Sequence, residues 1–124
     1  MDSAQLEKAL NEMPAVTLIT EIPEIQNAIA HLLKSNQEMR EFDPDNKDPD
    51  FIQAIKENAE LIKRKEKQVN ITLQVIRERL GEAAWREMGS NVKEFRELHA
   101  HELKAEQQSQ QSNAEKNEEE GVFL

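Results

Sequence analysis

The chain has 124 residues, no cysteine, three glycines, 33% charged and 4% aromatic residues, and a formal net charge of −9. This is the bulk of one small domain with a helical composition, because a sheet draws more heavily on aromatic and β-branched residues and on turn glycine. The acidic balance disfavours a protein that works by neutralising phosphates and favours a protein partner, while the missing cysteines exclude disulfides and thiolate metal sites and fit a reducing compartment.

Residues 3–13 read as a short helix with Ser3 as its cap and Leu6, Ala9, Leu10 and Met13 on one side, ending before Pro14. Next comes the segment that organises the chain. Leu18, Ile22, Ile25, Ile29, Leu32 and Met39 recur at alternating spacings of three and four, and Asn36 takes the one polar slot, which is a heptad seam. This helix starts either with Pro14 in its first turn or with Thr20 as its cap, and Pro23 decides between them: proline is tolerated in a first turn and costs about 3 kcal/mol in an interior, so a start near Thr20 is expected.

Two prolines and four aspartates in residues 42–50 make an acidic loop, with Asp48 before Pro49 as a strong cap for the next helix. From there Ile52, Ile55, Ala59, Ile62, Val69, Leu73, Ile76 and Leu80 repeat the seam, broken only by Glu66. Two heptad helices joined by a short loop lie antiparallel. Asn58 falls near the position that faces Asn36, where a polar pair would fix register; a frayed, wet Asn36 is the alternative.

Trp85, Met88, Val92, Phe95 and Leu98 or His99 carry a third helical stripe to about Lys104, past Gly81 and Gly89. Residues 107–120 are polar and acidic, which reads as a disordered tail, and the tail finishes in an apolar hook of Val122, Phe123 and Leu124. The expected fold is therefore all-α: a coiled-coil-like antiparallel helical hairpin over residues 15–82, a short arm over 1–14, a third helix over 83–106, and a disordered acidic tail over 107–124. Ile19 and Leu33 beside the first seam, and Ile71 and Val75 away from the second, need a cover. The third helix could supply it, and so could a helix of another protein.

No catalytic residues, cofactor or metal are expected. His31, His99 and His101 are scattered, and no metal-binding, phosphate-binding or nucleophile motif is present, so an enzyme is not expected. The basic run Lys63, Arg64, Lys65 and Lys67 has no interleaved aromatic residue for base stacking and reads first as a solvated helix flank. No apolar run approaches the roughly 20 residues of a membrane span, and the start MDSAQLEKAL lacks the order of a secretion signal. A soluble protein of the cytoplasm, and also the nucleus, is expected, with neither membrane nor nucleic acid as its partner.

Residues 29–36, IAHLLKSN, followed after the acidic loop by residues 55–58, IKEN, resemble the hairpin of the fungal translation-machinery-associated, ATPase-dedicated chaperone family of proteasome assembly. Position by position the resemblance involves Ile29, His31, Leu32, Ser35, Asn36, Ile55, Glu57 and Asn58, and the ending Val122-Phe123-Leu124 is similar to that family's apolar C-terminus. The helix around Trp85 does not align with it. The resemblance implies a non-enzymatic chaperone that holds an ATPase subunit of the proteasome's regulatory particle by a helical contact. Val122-Phe123-Leu124 also resembles the endings that dock on the proteasome core particle, with phenylalanine in place of tyrosine, and those read by PDZ domains. The competing expectations are a ribosome- or RNA-associated helical factor and a structural coiled-coil subunit of another complex.

Overall fold

A computed structural model describes residues 2–107. Its helices are α1 (Ser3–Glu12), α2 (Ala15–Phe42), α3 (Pro49–Leu80) and α4 (Glu82–Leu98), with a further helical stretch, α5, over residues 100–107. There is no strand among the described residues. The fold is all-α, built on an antiparallel hairpin of α2 and α3 against which a third helical segment packs. The tail and the Val122-Phe123-Leu124 hook lie outside the described residues.

Local chemistry sets most of the boundaries. The cap of α1 is Asp2 rather than Ser3: its carboxylate accepts from the Gln5 N–H at 2.8 Å while the Gln5 side chain accepts from the Asp2 N–H at 3.2 Å, so two orphan donors are satisfied reciprocally. Asp48 caps α3, accepting from the N–H of Asp50 at 2.9 Å, with Pro49 in the first helical position. The acidic loop between the long helices is fastened by Asp43, whose carboxylate accepts from the N–H groups of Lys47 and Asp48 at 3.1 and 2.8 Å.

Helix α2 begins at Ala15, not near Thr20, and carries Pro23 in its interior. Pro23 has no N–H to donate to the Ile19 carbonyl. Against that loss, the early start turns Leu18 and Ile22 inward, both 0% exposed, and two such side chains contribute about 4 kcal/mol on burial. At the other end of the hairpin Gly81 stops α3 with φ +95° and ψ 178°, a backbone conformation essentially reserved for glycine, and α4 turns back along α3. The third helix is also shorter than its stripe predicts. It is interrupted at His99, whose ring lies 4.5 Å from that of Phe95, before α5 resumes.

The core runs through the hairpin as Leu18, Ile22, Ile29, Ile62, Val69 and Ile76, joined by Leu10 from α1 and by Met88 and Val92 from α4. Leu33, beside the predicted seam, is 2% exposed, whereas Leu32, predicted within it, is only half-buried. The reason is the third helix, which lies against the Leu33 flank. Glu66, the apparent break in the α3 seam, accepts from Arg96 of α4 at 2.8 Å, and Arg96 also donates to Asn70 at 2.8 Å. The Arg77 guanidinium stacks 4.4 Å from the Trp85 ring centre at the turn. The second stripe of α3 is covered from within the chain by α1. Ile71 and Leu6 line one groove, and Arg79 donates to the Leu10 carbonyl at 2.9 Å; Val75, which shares the face of Ile71 and Arg79, is 2% exposed.

Candidate functional site

The two flanks of the α2–α3 seam end up in different environments. On one flank Leu33, Gln37 and Arg40 of α2 face α5, and Arg40 makes a bidentate ion pair with Glu106 at 2.5 and 3.0 Å. Glu106 is almost fully enclosed, and its carboxylate raises the Arg40 guanidinium above its ordinary pKa despite the opposing effect of burial. The other flank consists of Ala28, Leu32, Ser35 and Met39 on α2 and Ala54, Asn58 and Leu61 on α3, spaced at three, four and seven and all half-buried. α4 and α5 lie on the opposite flank, and α1 reaches only as far as Leu61. This open face runs from the N-terminus of α1 to the acidic tip. There Phe42, 83% exposed, meets Phe51 edge-on at 6.2 Å.

The polar centre of the face is constructed rather than incidental. Asn58 donates to the Asn36 side-chain oxygen at 3.0 Å, with Ser35 Oγ at 3.5 Å, and Asn36 donates to the Ile55 carbonyl at 3.3 Å. Asn36 is 0% exposed, so it is paired and dry, not frayed and wet. The heptad register is thereby fixed, which places the apolar residues of the face on either side of a small polar step.

Of the residues singled out in the sequence, Leu32, Ser35 and Asn58 come together on the open face. Ile29 and Asn36 are enclosed and offer no side-chain surface; they act on the face only by setting its register. Ile55 is half-buried in the seam beside Asn36, and His31 and Glu57 are exposed on the outer sides of α2 and α3. Val122, Phe123 and Leu124 lie outside the described residues. Sequence reasoning missed Ala28, Phe42, Ala54 and Leu61 as members of the face and placed Met39 in the seam. The available signal was that Ala28, Ala54 and Leu61 each stand one residue before a seam position, Ile29, Ile55 and Ile62.

Among the described residues no cluster of three or more His, Asp or Glu side chains is arranged to hold a metal ion, and no helix is long and apolar enough to cross a membrane. The site's chemistry is that of an apolar strip bounded by charge, which suits a helix laid lengthwise along it. A family model described as the TMA17 helical domain matches residues 2–83, the stretch that holds α1, α2, α3 and the whole open face. No curated protein and no solved structure matches the chain.

Proposed function

The chain belongs to the TMA17 helical domain family, and from that premise we propose that it is a non-enzymatic assembly chaperone that holds an ATPase subunit of the proteasome regulatory particle by helix-to-helix contact while the base assembles. The observation that carries the reading is the open face. A hairpin whose other flank is sealed by its own third helix leaves one apolar strip of Leu32, Met39, Phe42, Ala54 and Leu61, long enough for several turns of a partner helix. The family match supports the same surface, since it ends at residue 83 and so covers the hairpin without the sealing helix. In this reading Val122-Phe123-Leu124 supplies a second contact, toward the core particle, and the protein acts in the cytoplasm and nucleus.

The test is affinity capture of the tagged full chain from cell extract, with the bound proteins identified by mass spectrometry, alongside a Met39→Glu/Phe42→Ala variant. Regulatory-particle ATPases should be recovered with the parent chain and lost with the variant, whose circular dichroism should be unchanged. Recovery of a different complex would reject the ATPase partner while keeping the open face as a binding surface. Ribosomal components lost on raising salt would favour the RNA-associated reading.

A further inference from the structure

A second groove, of about 330 Å3, lies between α1 and α3. Leu6, Leu61 and Ile71 give it an apolar lining, and Arg64 and Lys67 give it positive charge, with Asp2 the one acidic residue present. Lys63 lies one residue before Arg64 and four before Lys67, on the outer side of α3, and all three cations are exposed. Among the described residues none of the three forms an ion pair. In a chain of net charge −9, an apolar groove with unneutralised cations at its edge selects a ligand that is acidic and carries an apolar anchor.

The chain contains such a segment. Residues 115–124 bring together Glu115, Glu118, Glu119 and Glu120 with Val122, Phe123 and Leu124, against the single cation Lys116. We propose that the groove between α1 and α3 is the docking site of the chain's own residues 115–124, with Phe123 between Leu6, Leu61 and Ile71 and the glutamates along Lys63, Arg64 and Lys67.

The reach is sufficient. Glu106 sits beside Arg40, one turn beyond Asn36, whose partner across the hairpin is Asn58, so the described chain stops level with the start of α3's second turn. The groove at Arg64 and Gln68 is then roughly 20 Å further along the axis at 1.5 Å per residue. The seven residues 108–114 that join the described chain to the docked segment reach about 25 Å when fully extended, and the fifteen that precede Phe123 about 50 Å. A groove at α5 lies closer to the tail, but its one guanidinium, Arg40, is already paired with Glu106, and Glu41 and Glu102 leave it no cationic edge like that of Arg64 and Lys67.

Leu61 belongs to both this groove and the open face, so the docked tail covers the α1 end of that face. A helix seated along the full face and the docked tail therefore exclude one another, and occupation of the face releases the hook. This holds whatever the partner is.

Because the chain has no cysteine, one nitroxide can be placed in the tail through Asn117→Cys and read on the full-length protein by nuclear magnetic resonance. Backbone signals from Leu61 to Ile71 should be lost while the nitroxide is oxidised and return when it is reduced. They should persist in an Arg64→Glu/Lys67→Glu variant, and also with Phe123→Ser, while circular dichroism stays that of the parent. The proposal is overturned if those signals are unaffected, if the loss survives the charge reversal, or if it falls on the α5 groove. It is equally overturned if the loss appears only when a nitroxide-bearing chain without isotope is mixed with an enriched chain without nitroxide, since that would place the tail on a second copy.

Discussion

Asn58 donates from Nδ2 to the side-chain oxygen of Asn36 at 3.0 Å across the α2–α3 seam, in a position where Asn36 has no exposure to solvent. A polar pair between two apolar helices, with Asn36 dry and Asn58 half-buried, lowers stability relative to leucine and selects one register. Asn36→Leu alone strands the Asn58 amide and should cost about 1–3 kcal/mol in urea denaturation. Replacing both by leucine should recover that loss or exceed it, because no polar group is then left unpaired. Equal stability for all three proteins would mean that the pair contributes nothing.

Gly81 and Gly89 both have open space where a Cβ would be built, yet only Gly81 has a positive φ. Steric crowding is thus removed as a variable. Gly81→Ala should lower stability by about 1–3 kcal/mol through backbone strain, whereas Gly89→Ala, inside α4, should raise it by up to about 1 kcal/mol. Thermal melts of the two variants should move in opposite directions; a shared direction would refute the assignment of strain to Gly81.

Pro23 is exposed and stands nine residues into α2. Since its side chain is exposed, Pro23→Ala should add a backbone hydrogen bond to the Ile19 carbonyl and stabilise the protein by roughly 1–3 kcal/mol. A destabilised variant would show that a bend at Pro23 is required for Leu18 and Ile22 to reach the core.

The third helix is held by both apolar and ionic contacts. Val92, 3% exposed, should cost about 2 kcal/mol on truncation to alanine. For Glu66 and Arg96, which are partly exposed, a double-mutant cycle should give a coupling of about 1 kcal/mol or less. A coupling indistinguishable from zero would remove this ion pair from the contacts that dock α4.

Several features were legible in the residues alone because they depend on neighbours along the chain. The start of α3 follows from Asp48 and Pro49, the loop from its prolines and aspartates, and the antiparallel hairpin from two heptad patterns joined too closely to lie any other way. The seam also placed Asn58 near the position facing Asn36, since spacing along a helix fixes facing positions once the loop is short, but it leaves open whether the two pair or Asn36 is wet. The cap at Asp2 was readable too, in the Asp-x-x-Gln order that a serine one residue later obscured.

What the sequence by itself left undecided was which side of the hairpin stays open. Leu32 and Leu33 are adjacent and equally apolar, and the three-and-four spacing favours Leu32, the one the fold leaves half-buried. Their difference comes from α4 and α5 packing back over the Leu33 flank, through Arg96 to Glu66 and Arg40 to Glu106, pairs separated by 30 and 66 residues. The interior Pro23 was decided in the same way, because a lost hydrogen bond is a local quantity, whereas the burial of Leu18 and Ile22 that outweighs it exists only once α3 lies alongside. Helix propensity, capping and periodicity act within a few residues; the choice of covered and uncovered faces is made by contacts between segments that the chain brings together only on folding.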